Sequence, residues 1–466
     1  MPLFVSCIAK KFIVISPKPM NNKQTGIEGS VFGDNARIEI NQHINSPRQN
    51  QAIPSNVRSG SKNFVGREEE LKKIEKALTQ GQGVIVCAVE GLGGVGKTEL
   101  ALQYAQLHKG EYAAQYWLNL REMGLAQAVV KEASRYIALP ESMLADIDEA
   151  KAAWYWQNWL PASGKMLVIL DDVTNAESMP EVAMPLDSRV QVLVTTRERS
   201  LNLEFESVAV EVLSEMEALE LLRKIVGAGK VDNELATVQQ ICQMLGYLPL
   251  GIELVGEYLF KKRTLTFAQV QERLHLADET ISRERKHKLY GYRGVEAAIR
   301  LSWDDLSPAS QQVAMLLSLF APVDILWELV AEIGKMTEIT AAELSEARGQ
   351  LDNLHLIKPI DEEYTFYKIH TLIREFFRIE LSQKEENNQF RQAFAANLLE
   401  IAKIDEPITN EKIRIAVYAN PHIQLLMKEM PNDIPNPEED RSLWLAQNAL
   451  FVEGEGSIQI GGEGSI

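Results

Sequence analysis

One octapeptide constrains this chain more than anything else in it: Gly91-Leu92-Gly93-Gly94-Val95-Gly96-Lys97-Thr98, a complete GxxxxGK[ST] run. It stands between an aliphatic segment, Val84–Val89, and a segment carrying Leu100, Ala101, Tyr104 and Ala105 at helical spacing. A buried strand, a glycine-dense turn and an amphipathic helix in that order point to an open α/β sheet. The glycines let backbone N–H groups turn inward unobstructed, and the helix start adds a positive field, so the turn suits phosphate. In that reading Gly91, Gly93, Gly94, Val95 and Gly96 supply the cradle. Lys97 places a charge at the β and γ phosphates, and the Thr98 hydroxyl ligates Mg²⁺. Glu99, next in line, is counted with the same binding set. A glycine turn that merely closes onto a helix is the bland alternative, and the strand, Lys97 and Thr98 together weigh against it. Gly91, Gly93 and Gly96 also fit GxGxxG, which asks for an acidic residue about 20 positions on. The nearest candidate, Glu122, lies farther along, and that fingerprint has no use for Lys97-Thr98.

Two further segments converge on the same chemistry. Lys165-Met166-Leu167-Val168-Ile169-Leu170-Asp171-Asp172 reads as a hydrophobic strand that delivers two carboxylates at its C-terminal end, the edge where open parallel sheets bind ligands. Asp171 is expected to hold Mg²⁺ through water, and Asp172 stands where a water-polarising carboxylate is wanted. Val192-Leu193-Val194-Thr195-Thr196-Arg197 repeats the logic with a guanidinium, a bidentate donor able to sense a γ-phosphate. Lys97, Asp171, Asp172 and Arg197 form the catalytic candidates, and Thr98 with Asp171 the metal candidates.

Along the 466 residues, strands alternating with helices imply a parallel sheet with right-handed crossovers. After Val212 the strand signal fades. Ser214 with Glu217 forms a capping box, and Val238–Leu245 and Gly251–Phe260 continue a helical region. The charged stretch Ser282–Lys288 reads as a hinge or exposed turn. A helix from Val295 and another capped by Ser307, with Pro308 at its first position, precede an antiparallel wing. Leu356–Ile360 and Tyr364–Ile369 make that wing around the Asp361-Glu362-Glu363 turn, and a helix runs on from His370. Gln389–Ile404 is again helical. Residues 21–62 are rich in Asn, Gln, Ser and Gly and read as linker, with one hairpin expected around Arg37–Ile40. Phe451–Ile466 spells GEGSI twice and is expected to be disordered.

The balance of 48 basic against 65 acidic side chains, net −17, opposes a general nucleic-acid or anionic-membrane binder. Cys7, Cys87 and Cys242 stand apart without metal spacing, so neither a disulfide framework nor structural zinc is expected, and a reducing cytoplasm suits the pattern. No apolar run reaches transmembrane length; the best, Val313–Val323, breaks at Pro322 and Asp324. The opening twenty residues lack a signal-peptide cleavage site and read as an upstream extension, with Met20 an alternative start.

Taken in order, Phe64-Val65-Gly66-Arg67-Glu68, the phosphate loop, the Asp171-Asp172 strand, Thr195-Thr196-Arg197, Gly246-Tyr247-Leu248-Pro249-Leu250 and Ile369-His370-Thr371 resemble the NB-ARC class of STAND ATPases. The likeness is to bacterial, cyanobacterial-type members that precede tetratricopeptide repeats, and it covers Asn63 to Leu381. It implies a P-loop NTPase parallel sheet with helices on both faces, then a helical subdomain, a winged-helix domain and a short all-α C-terminal region. The implied bounds are 1–62 extension, 63–212 nucleotide domain, 213–288 helical domain, 289–382 winged helix, 383–450 helical approach to repeats and 451–466 tail. By the same resemblance Val65 and Arg67 contact adenine and ribose, Pro249 packs on the base, Arg197 is a sensor, and His370 reaches the β-phosphate of ADP. Thr371 departs from the plant-type motif, which has Asp there. The remaining histidines, His43, His108, His275, His287, His355 and His422, have no ligand-like spacing.

Three functions compete. The first is a switch that binds ADP or ATP with Mg²⁺, closed with ADP and opening or oligomerising with ATP, hydrolysing slowly, in signalling or defence. Its protein partner would act through C-terminal repeats, which here look truncated. The second is a winged-helix DNA-binding ATPase or transcriptional regulator. Residues 300–378 hold 7 basic against 13 acidic side chains, the wrong sign for a recognition surface. The third is an ADP-holding scaffold or degenerate fragment. The first is preferred, with no nucleic acid and no membrane expected as partner.

Overall fold

A computed structural model describes residues 55–433, apart from 82, 89–92, 122, 135, 138, 144–145, 162, 181–183, 186, 199–200, 202–204, 285–291, 337–338, 362, 385–386, 403–409 and 431–432. The expected hairpin at Arg37–Ile40, Gly91, Glu122 and the GEGSI tail lie outside them.

Five strands, β1 (Val84–Ala88), β2 (Tyr112–Asn119), β3 (Lys165–Val173), β4 (Val190–Thr196) and β5 (Glu206–Val210), form one sheet in the order β2-β3-β4-β1-β5. Every pairing is parallel. Helices α1 (Glu68–Thr79), α2 (Lys97–Leu107), α3 (Leu125–Ala133) and α4 (Asp148–Trp159) supply cover on both faces. The strand period of two decides which residue faces which way. In β3, Leu167 and Ile169 join a core with Leu100, Ala101 and Tyr104 of α2. Met166, Val168 and Leu170 join the opposite core with Val129 of α3 and Trp156 and Trp159 of α4. A strand buried on both sides reads as a continuous apolar run, which is what the central segments show.

A helical region follows: α5 (Glu215–Val226), α6 (Ala228–Asn233), α7 (Leu235–Met244), α8 (Pro249–Lys261) and α9 (Phe267–Glu284). The Ser214–Glu217 capping box opens α5, with each side chain satisfying the other residue's backbone N–H. Part of the expected hinge, Ser282–Glu284, is instead the last turn of α9. The third region holds α10 (Arg293–Asp304), α11 (Pro308–Leu319), β6 (Ile325–Leu326), α12 (Trp327–Met336), α13 (Ala341–Asn353), β7 (Lys358–Pro359), β8 (Phe366–Lys368) and α14 (Thr371–Ser382). Its three short strands pair antiparallel in the order β6-β8-β7. α15 (Asn387–Ala402) and α16 (Asn410–Glu429) complete the described chain. One apolar core runs from the α2 face of the sheet through Leu222, Ile252 and Val295 to Trp303, Phe320 and Phe376. Among the described residues, no helix is long and apolar enough to cross a membrane. Cys87 and Cys242 are free and buried.

Candidate functional site

The C-terminal ends of β2, β3 and β4 open into a cleft of about 1100 Å³, walled on the far side by α8, β7–β8 and the start of α14. The loop from Gly93 to Gly96 forms its floor. Gly94 and Gly96 sit at φ +76° and +97°, the left-handed region where a Cβ is strained, and Gly96 caps α2. Lys97 follows as the first residue of α2 and is buried. Burial, and secondarily the Arg197 guanidinium, pull its ammonium down to about 8. Thr98 points at the end of β3, where its Oγ1 donates to Asp171 Oδ1 at 2.9 Å. Thr195 on β4 donates to the same oxygen at 2.6 Å and accepts from the Asp172 backbone N–H at 3.0 Å. Parallel register thus sets two hydroxyls and a carboxylate beside the phosphate loop.

Asp172 stands one residue further, in a left-handed turn at φ +59°. Its Oδ2 accepts from Arg121 Nη1 at 2.6 Å, and its Oδ1 lies 3.5 Å from Arg197 Nε. Glu99 turns away from the loop, accepting from the Ser61 N–H and, at 2.9 Å, from Gln103 Nε2. Val65 is buried in the cleft wall, with Pro249 at the first position of α8. Arg67 lines the cleft, but its guanidinium is held within the protein. Nη2 donates to the Glu211 carbonyl at 2.6 Å and the Val95 carbonyl at 3.5 Å. These bonds tie the start of α1 to the end of β5 and to the phosphate loop.

The third region supplies the roof. The Tyr292 hydroxyl accepts from the Gly93 N–H. A Cβ on Gly94 would meet Leu250 of α8 at 3.4 Å and Leu372 of α14 at 3.5 Å. His370 caps α14, its Nδ1 accepting from the Leu372 N–H at 3.2 Å. Burial first, then Arg197, Lys368 and Arg121, push the imidazole down to about 3, so it is neutral at pH 7. Lys368 Nζ lies 3.9 Å from Asp171 Oδ2; burial and Arg58 hold its ammonium below the usual range. Pro249, His370 and the loop, distant in sequence, therefore line one cleft, as do Val65, Arg67, Asp171, Asp172 and Arg197. The sequence reading missed Arg121, Tyr292, Glu253 and Lys368. Only Arg121 carried a signal, a charged residue just beyond a strand at the ligand edge.

Residues 67–232 match the NB-ARC domain family. The match covers about a third of the chain. Regulatory protein AfsR of Streptomyces griseus is 27% identical over 355 residues, 74% of this chain and 35% of its own length. TMV resistance protein N of Nicotiana glutinosa is 25% identical over 280 residues, 55% of this chain and 23% of its own. Among solved structures, a Signal Transduction ATPase with Numerous Domains with a tetratricopeptide repeat sensor, from Pyrococcus horikoshii, gives a TM-score of 0.49. It is 17% identical, over 86% of this chain and 56% of that one. The chain spans about a third or less of the length of these two curated relatives. The matched segment contains the phosphate loop, Asp171, Asp172 and Arg197.

Proposed function

We propose that this chain is a switch set by adenine nucleotide, closed around ADP and reopened by exchange for ATP. The observation that carries the reading is the roof over the phosphate loop: Tyr292, Leu250 and Leu372, each from beyond the sheet, stand on Gly93 and Gly94. A ligand held there touches the sheet, α8 and α14 together, so its phosphates can bias how the regions sit. Lys97 and the loop amides would grip the diphosphate, and His370 and Arg197 would answer differently to two phosphates and to three. Val65 and Pro249 offer apolar faces to a base. Thr98 Oγ1 and Asp171 Oδ1, adjacent hard oxygen donors, fit a Mg²⁺ ion that takes its other ligands from phosphate and water. The positive charge supplied at those two oxygens would offset that of the phosphates.

Hydrolysis in this reading is slow. Both oxygens of Asp172 face guanidinium groups, so a water meets a carboxylate already engaged. The regulatory and resistance names of AfsR and of protein N support a signalling role over a metabolic one. Fluorescent-ADP titration tests the reading. Lys97→Ala is expected to weaken binding by about two orders of magnitude, the scale of one desolvated charged donor. Unchanged affinity would overturn it. Size-exclusion chromatography in ADP and in ATP should separate a compact monomer from a larger species.

A further inference from the structure

One of the ties between the sheet and the third region is a guanidinium. Arg121 lies two residues beyond β2, at the ligand edge. The Leu120 N–H donates to the Asp171 carbonyl at 2.9 Å, and the Arg121 N–H to Asn119 Oδ1 at 3.0 Å, so its backbone is fixed against β3. From there Nη1 donates twice: to Asp172 Oδ2 at 2.6 Å and to Thr371 Oγ1 at 2.7 Å. Thr371 is the first residue of α14 and follows His370 directly. Arg197 faces the other oxygen of Asp172. The ends of β2, β3 and β4 are thus joined through a chain Arg197–Asp172–Arg121–Thr371 to the helix that roofs the phosphate loop.

We propose that Arg121 is a positioning residue that holds α14 closed on the sheet through the Thr371 hydroxyl and thereby sets how fast nucleotide leaves. The argument runs on geometry and charge. Nη1 offers two hydrogens, and both find acceptors within 2.7 Å, one on each side of the cleft. A bond to a charged donor at this length is among the stronger polar contacts, and both side chains of the Arg121–Asp172 pair are about four-fifths buried. Asp172 is shared by two arginines. When Arg197 is drawn toward a ligand phosphate, Arg121 keeps the carboxylate in place and α14 with it. The nucleotide-release part rests on the switch reading above; the tie itself does not.

The test is a double-mutant cycle on Arg121→Gln and Thr371→Val, with Thr371→Ser as the conservative variant. Two readouts are taken: hydrogen exchange of the Arg374–Arg378 amides in nucleotide-free protein, and release of fluorescent ADP. Loss of one charge-assisted hydrogen bond predicts about tenfold faster exchange and release in each single variant. The double variant should be no faster than the faster single, and Thr371→Ser should stay close to the parent. Thr371→Val is nearly isosteric, so it keeps the proposal open to refutation even where Arg121→Gln misfolds. Parent-like protection in Thr371→Val, or effects that multiply in the double variant, would overturn the proposal. If the parent holds no nucleotide, the switch reading fails while the exchange cycle still decides the tie.

Discussion

Lys97 sits buried at the head of α2 with its ammonium held near pH 8 by burial and by Arg197. Phosphate beside it would favour the charged form and lift that value. Binding should therefore take up a proton between the two values, and affinity should fall with rising pH above about 8, by up to tenfold per unit. Below 8 this group contributes no slope. Calorimetry of ADP binding at pH 8.5 in two buffers of different ionisation enthalpy checks it, and a flat affinity from pH 7 to about 9.5 would refute it. Lys97, Thr98, Asp171 and Arg197 were legible because their spacing to glycines and strand ends is itself the chemistry. Arg121 was not, because its role is visible only once β2 lies beside β3 with Asn119 opposite Asp171. A register between strands some fifty residues apart is not written in either one.

Among elements, β1, β3 and β4 could be read from the sequence because they are buried on both faces. The strands β2 and β5 could not: they close the two edges of the sheet. In β2 the run mixes Gln115 and Asn119 with Tyr116 and Trp117, and its outer edge is covered by Asn56. That side-chain amide accepts from the Trp117 N–H at 2.6 Å and donates to its carbonyl at 3.0 Å. Such cover stands in for a neighbouring strand and leaves no alternation to find. Helix crossings were hidden in the same way. Gly294, in the first turn of α10, lies against the backbone of Met244 and Leu245 at the end of α7. A Cβ there would come within 2.8 Å of Leu245 Cα and closer still to the Met244 carbonyl. Gly294→Ala must push the two helices apart and should cost about 1–3 kcal/mol, the usual price of overpacking. Gly349, inside α13, has open space around the same atom. Gly349→Ala should stabilise by about 0.5–1 kcal/mol through helix propensity. Thermal denaturation of the pair checks both signs, and equal shifts would refute the close contact.

For the whole molecule, three buried groups in different regions give stability opposing slopes on the acid side. His370, between sheet and α14, and His422, on α16, are both pushed down from 6.5 to about 3, by burial first. His422 is fully buried, with the Ala321 N–H donating to its Nδ1 at 2.9 Å and Phe320 edge-on to its ring. As pH falls below 6.5, the unfolded chain protonates both imidazoles and the folded chain neither, so folding loses stability down to about pH 3. Glu253, on α8 in the cleft wall, acts in the opposite sense. Burial, with Glu99 and Glu257 near, raises its carboxyl from 4.5 to about 7. Between those values the folded chain carries a proton there that the unfolded chain lacks, so lowering the pH relieves a strain. Two imidazoles against one carboxyl leave about one net proton taken up on unfolding between roughly pH 5 and 6.5, a slope near 1.4 kcal/mol per unit. Glu253→Gln removes the opposing group. The variant should be more stable than the parent above pH 7, and its acid limb should be about twice as steep. Urea midpoints from pH 5 to about 8 measure both, because a shift of midpoint at constant m reports stability alone. A parallel pair of curves would mean that Glu253 ionises as freely in the folded chain as in the unfolded one. Steepening without the gain above pH 7 would instead place the compensating proton on another group.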